Sequence, residues 1–196
     1  MLELQNYLVR EQIAVLRMTD VYDILDPESG KQVGIAEETR GTFAMLLSMF
    51  MNKNLLTRKI EVREHPEGSL VFTMRKPTSF FQPKVEVFDA QGERVGYFVS
   101  KLFSFGGGFN VYDKHDRPFA EIQGKWTGWD FTFRTPDGHE MGWVTKKWAG
   151  MLKQLFTSAD NYVVSISDDL ADQPIAKMLL LAAALAIDIV YYDGEE

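Results

Sequence analysis

The stretch "MLLLAAALAIDIVYY", residues 178–192, constrains the fold more than any other part of the chain. A membrane-spanning helix needs about 20 mostly apolar residues to cross roughly 30 Å of hydrocarbon. The uncharged part of this run, 178–187, gives about 15 Å of helix at 1.5 Å per residue. Lys177 precedes it and Asp188 interrupts it. Carried through Tyr192 it reaches only about 22 Å, with a carboxylate inside the span, which lipid tolerates poorly. The run therefore reads as a buried helix of about 174–192 and not as a membrane anchor. Leu, Ala and Met are strong helix formers. Asp172 is placed to cap the start, with Pro174 in the first turn, where its missing N–H costs nothing. The helix is apolar on every side, so it must be enclosed on every side.

The rest of the chain supplies the enclosure. Four segments share one pattern of alternating strand, polar turn and second strand: 22–36, 85–99, 109–123 and 131–145. Gly34, Gly96, Ala120 and Gly142 take equivalent places in them. This is an internal hairpin repeat with Asp, Pro and Gly turn chemistry. "SLVFTMRK" (69–76) and "NYVVSIS" (161–167) supply further strands. A mainly β fold follows: a closed antiparallel barrel of about twelve strands around the C-terminal helix. No Pro/Gly/Ser-rich linker divides the 196 residues, so a single domain over 1–196 is expected. Two stretches interrupt the repeat. "TFAMLLSMFMNKN" (42–54) reads as an apolar helix over one barrel end, and Gly106-Gly107-Gly108 as a hairpin loop. The glycine run lacks the lysine and the strand-to-helix setting of a phosphate cradle.

Composition narrows the function. The chain has no cysteine, so disulfides, thiolate metal sites and thioester lipidation are excluded. A formal net charge of −7 argues against a nucleic-acid partner, since such binding rests on a basic face. The N-terminal sequence lacks a basic segment followed by a long apolar one, and a cytoplasmic location, extending to the membrane periphery, is expected. No nucleophile elbow, P-loop or His-x-x-x-His pair occurs. A non-enzymatic domain with no required cofactor is expected. Glu37-Glu38 and Asp168-Asp169 are adjacent in sequence, and strand neighbours point to opposite faces. Such pairs read as solvated turn residues.

One region is more specific. Lys146, Trp148, Gly150, Leu152, Phe156-Thr157 and Ala159-Asp160-Asn161-Tyr162 run in an order that resembles the signature of the phospholipid scramblase family. The similarity continues through Asp169-Leu170, Ala176-Lys177, Ile187-Asp188 and Tyr191-Tyr192. It covers about fifty C-terminal residues strongly. The resemblance implies the wider group that includes Tubby C-terminal-like and LURP-one-related domains, whose barrel surrounds a hydrophobic C-terminal helix. It implies calcium-stimulated lipid movement between leaflets, or binding of phosphoinositide head groups. The cysteine-rich segment and Pro-rich extension of animal relatives are missing here. The proposed calcium segment corresponds to 158–169, with Asp160, Asp168 and Asp169 as candidate ligands. It lacks the alternating oxygen ligands and the glycine of an EF-hand loop.

Basic residues cluster at Arg58, Lys59 and Arg63, and at Arg75, Lys76 and Lys84. Converging on one face, they would hold an anionic phospholipid or phosphoinositide head group by charge-assisted hydrogen bonds. The expected function is therefore a peripheral lipid-binding or protein-binding module, with scramblase activity and a ligand-free scaffold as the alternatives.

Overall fold

The computed structural model describes residues 1–12, 19–39, 57–79, 82–101, 107–125, 129–146 and 161–191. The Met-rich stretch 42–54 and most of the family-like segment at 147–160 lie outside them. The described strands are β1 (Asn6–Glu11), β2 (Val21–Leu25), β3 (Gln32–Thr39), β4 (Arg58–Glu64), β5 (Leu70–Lys76) and β6 (Lys84–Asp89). They continue with β7 (Arg94–Ser100), β8 (Gly108–Asp113), β9 (Pro118–Lys125), β10 (Asp130–Arg134), β11 (Glu140–Thr145) and β12 (Asn161–Ile166). Each pairs antiparallel with its sequence neighbour, and β1 pairs with β12, closing the barrel. A 3-10 turn, Asp168–Leu170, leads to one helix, α1 (Pro174–Tyr191).

The alternation of strand residues explains the core. On β4, Arg58, Ile60 and Val62 are buried while Lys59, Glu61 and Arg63 are partly exposed. Inward residues from the strands meet α1 in one apolar cluster. Every residue of α1 from 176 to 189 is buried. A helix with no polar stripe is stable in water only when sheet surrounds it, and this barrel does so. Among the described residues, no helix is long and apolar enough to cross a membrane.

The repeated small residues have a structural reason. In five hairpins the strand register shifts next to the turn, and in four of them Gly34, Gly96, Ala120 and Gly142 each face the residue just before that shift. These bulges curve the strands. A Cβ on Gly96 would stand 2.6 Å from the Tyr112 carbonyl oxygen and 2.9 Å from the Leu179 side chain. At that position a larger residue would push the sheet off the helix.

The short hairpin turns between β2–β3, β4–β5, β6–β7, β8–β9 and β10–β11 all lie at one end of the barrel, with the start of α1. We call this the turn end. The opposite end, where α1 finishes, we call the mouth.

Candidate functional site

Strand direction and parity decide where each cation goes. β4 begins at the mouth with Arg58-Lys59, and β5 ends there with Arg75-Lys76. The register sets Arg58 opposite Lys76 and Lys59 opposite Arg75. Alternation then sends Arg58 and Lys76 into the bore, where they are 2% and 3% exposed. Lys59 and Arg75 lie on the outer surface, as does Lys84 at the start of β6. Five of the six sequence candidates thus meet at the mouth, split between its inner and outer rims. Arg63 lies toward the turn end, where its guanidinium donates to Gly68 O at 3.0 Å.

The inner rim is an ion network. Arg58 Nε donates to Glu38 Oε1 at 2.8 Å and Nη2 to Oε2 at 3.1 Å. The same guanidinium pairs with Asp20. Glu38 is 4% exposed, which corrects the expectation that the Glu37-Glu38 pair is solvated. Parity is the reason: Glu37 faces out and Glu38 faces in. Burial opposes the charge on Arg58, but Glu38 and Asp20 outweigh it and hold its pKa above the ordinary value. Burial, with help from Arg58 and against Glu38, brings Lys76 down to about 8. Asp188, in the last turn of α1, accepts a 2.6 Å hydrogen bond from the Tyr22 hydroxyl. Burial pushes Asp188 up to about 6, Tyr22 opposing and Asp20 reinforcing. Beside it, Lys146 lies 4.6 Å over the Trp129 ring, which stacks on Tyr162 at 4.7 Å.

From the mouth toward the turn end, the outer wall of β4 to β7 alternates cations, acids and rings. Lys59 and Arg63 each reach Glu61 at 2.6 Å. Lys84 reaches Glu86 at 3.0 Å and lies 4.3 Å over the Tyr97 ring. Arg75 lies 4.8 Å over Phe88. Farther round, a groove of about 490 Å³ opens across β7 to β10. Lys101, Lys125 and Arg134 line it together with Gln123 and Thr132, and among the described residues no carboxylate lines it. Lys101 pairs with Glu121 at its edge. Gly124 keeps β9 and β10 close there, since a Cβ would stand 2.1 Å from the Asp130 carbonyl oxygen.

The candidate calcium ligands are elsewhere. Asp168 and Asp169 open the 3-10 turn at the turn end, and Asp160 lies outside the described residues. Asp169 contacts His139 Nε2 at 2.7 Å. Hydrogen bonds from Ser167 and His139 hold it below the usual carboxylate range. Among the described residues, no three His, Asp or Glu side chains gather where they could hold a metal ion.

Among the described residues, charge is unevenly distributed along the barrel axis. Lys59, Arg75, Lys84, Lys101, Lys125 and Lys146 ring the mouth. Asp26, Glu67, Asp89, Asp113, Asp137 and Asp169 mark the turn end, beside Lys31, Arg94, Lys114 and Arg117, while Glu11, Asp20, Glu37, Glu38, Glu86 and Asp130 share the mouth with its cations. Sequence reading missed Asp20, Glu38 and Asp188 as network members, and Lys101, Lys125 and Arg134 as groove residues. The only available signal was strand parity for Glu38 and the lone acid in the apolar run for Asp188.

The sequence model of the scramblase family matches residues 22–194. This chain belongs to the scramblase family. Its barrel also resembles a crystal structure of a protein from Arabidopsis thaliana, with a TM-score of 0.51 at 12% identity. That likeness covers 94% of this chain and 89% of the plant chain. At such identity the likeness concerns the fold alone. In this scramblase-family barrel, the polar mouth described above is the candidate binding surface.

Proposed function

We propose that this scramblase-family domain is a non-enzymatic module that docks mouth-first on an anionic phospholipid surface. The observation that supports it is the uneven axial balance of charge, with cations gathered at the mouth and acids in excess at the turn end, in a chain of net charge −7. A negatively charged leaflet attracts the cationic mouth and repels the acidic turn end, so the field both binds and orients the barrel. The groove between Lys101, Lys125 and Arg134 offers one place for a head-group phosphate. Arg58 and Lys76 support that surface from inside, and Lys59, Arg75 and Lys84 face the lipid. The reading implies a peripheral position on a cytoplasmic membrane face and requires no cofactor and no calcium. Lipid transfer between leaflets gains no support from a bore filled by the domain's own helix, because that bore leaves no polar path.

Co-sedimentation with phosphatidylcholine vesicles containing increasing phosphatidylglycerol tests the reading. Binding that grows with anionic lipid and weakens with salt supports it. Equal recovery with neutral and anionic vesicles would remove it and turn attention to a protein partner.

A further inference from the structure

Asp188 interrupts the apolar run of α1 and is buried in the mouth. It occupies the last turn of the helix, where the helix dipole presents its negative end, and no basic residue of α1 offsets it there. Charged or titratable groups face it from every side. Tyr22 on β2 donates to it, and Asp20, just ahead of β2, opposes a second negative charge. Arg58 on β4 and Lys146 after β11 favour its ionised form. Arg58 is already engaged by Glu38 on β3 and by Asp20, and Lys76 on β5 feels both Arg58 and Glu38. On the remaining side, Tyr162 on β12 is influenced by Asp188 and by Glu11 at the end of β1. Among the described residues, the buried Tyr162 hydroxyl has no hydrogen-bond partner. The histidines, His65, His115 and His139, all lie in or beside turns at the far end.

We propose that the mouth is a proton-sensitive docking face, in which protonation of Asp188 seats the end of α1 and strengthens attachment to anionic phospholipid. The inference rests on the docking reading above and adds its regulation. With a proton bound, the Asp188 carboxyl no longer opposes Asp20 or the negative end of the helix. The mouth also becomes more positive by one charge. With the proton lost, the carboxylate competes with Glu38 and Asp20 for Arg58. Asp188 exchanges its proton near pH 6, so the change falls in the mildly acidic range. One unit of charge beside an anionic surface alters binding about fivefold.

The test uses the full chain and vesicles of phosphatidylcholine and phosphatidylglycerol at fixed ionic strength, at about pH 5.5 and about pH 7.5. Wild type is expected to bind about fivefold more tightly at the lower pH. Asp188→Asn is expected to bind equally at both, with the strength wild type reaches in acid. A variant that keeps the wild-type pH response overturns the proposal. Melting temperatures without lipid read the latch separately. Acidification across this window should raise the wild-type value and leave Asp188→Asn level, and parallel profiles overturn it. Tyr22→Phe covers the case in which asparagine packs poorly. Loss of the donor that favours the carboxylate should move the midpoint of the melting profile to higher pH, and an unmoved midpoint overturns the latch. Absence of vesicle binding at either pH sinks the docking reading and this proposal with it. The melting profiles still report whether Asp188 takes up the proton.

Discussion

The two ends of the barrel treat their acids in opposite ways. At the turn end, carboxylates serve as local hydrogen-bond acceptors. Desolvation pushes Asp113 up, but bonds from the Arg117 backbone and side chain and from the His115 backbone together outweigh it and hold it at about 2. Asp137 and Asp169 are lowered by hydroxyl and neighbouring bonds. At the mouth, Asp188 sits higher than its ordinary value because burial dominates. Asp26, Asp89 and Asp113 close hairpins between residues four apart or fewer, where the chain itself brings donor to acceptor, and Asp169 alone of these acids reaches across to His139. The mouth joins residues from β2, β3, β4, β5 and α1, and its acids are placed by the barrel. The turn end is thus locally determined and solvated, whereas the mouth is globally assembled and partly desolvated.

The largest expected effect breaks the mouth network. Arg58→Ala leaves Glu38 buried without its main partner, and loss of one member of a buried pair costs about 3–5 kcal/mol. Urea denaturation measures this. A loss within the range of a surface substitution would mean the inner rim is wetter than its burial implies.

Next comes the pH dependence of stability, where the ends should oppose each other. The folded pKa of Asp188 is raised, so the fold favours its neutral form. Its contribution is full below the unfolded value of 3.8 and is lost as pH rises through about 6. The change amounts to roughly 3 kcal/mol at most. The Asp113 value is depressed, so its contribution is present above the unfolded value and is lost as pH falls from about 4 toward 2. Urea midpoints across this range should rise from neutral pH to about pH 4 or 5 and fall below it. A monotonic rise with pH would deny Asp188 its role.

Charge reversal sharpens the functional side of the comparison. Arg75→Glu with Lys84→Glu should weaken vesicle binding at least tenfold, at about 1 kcal/mol per charge near the surface. Reversal of Asp89 and Glu93 at the turn end should leave it within twofold or raise it slightly. Equal losses from both pairs would show that overall charge, and not the mouth, drives attachment. The smallest effect belongs to Arg117→Ala, which removes an exposed ion pair with Asp113 and should cost less than about 1 kcal/mol. A cost like that of Arg58→Ala would erase the distinction between the ends.

Much of the barrel was legible in the chain because strands, turns and the helix are specified by short-range patterns. The alternation in "VEVFDAQGERVGYFV" names a hairpin, and Gly96 marks where the bulge and helix crowd the strand. The apolar run around Ala182–184 requires enclosure wherever it sits. The candidate site was legible only in part. Arg75 and Lys76 are neighbours in sequence, yet one faces solvent and the other the bore. A one-residue change of register would exchange them, so their faces could not be assigned before the pairing was known. The partner of Arg58 is twenty residues away on β3, and the groove draws Lys101, Lys125 and Arg134 from separate strands.

By itself, then, the sequence determined the elements and the need for a closed sheet around one helix, because hydrophobic periodicity acts over a few residues at a time. Tertiary structure decided the mouth. Closing the barrel fixes every strand's register and direction together, and only then do distant charges acquire an inside, an outside and a common end.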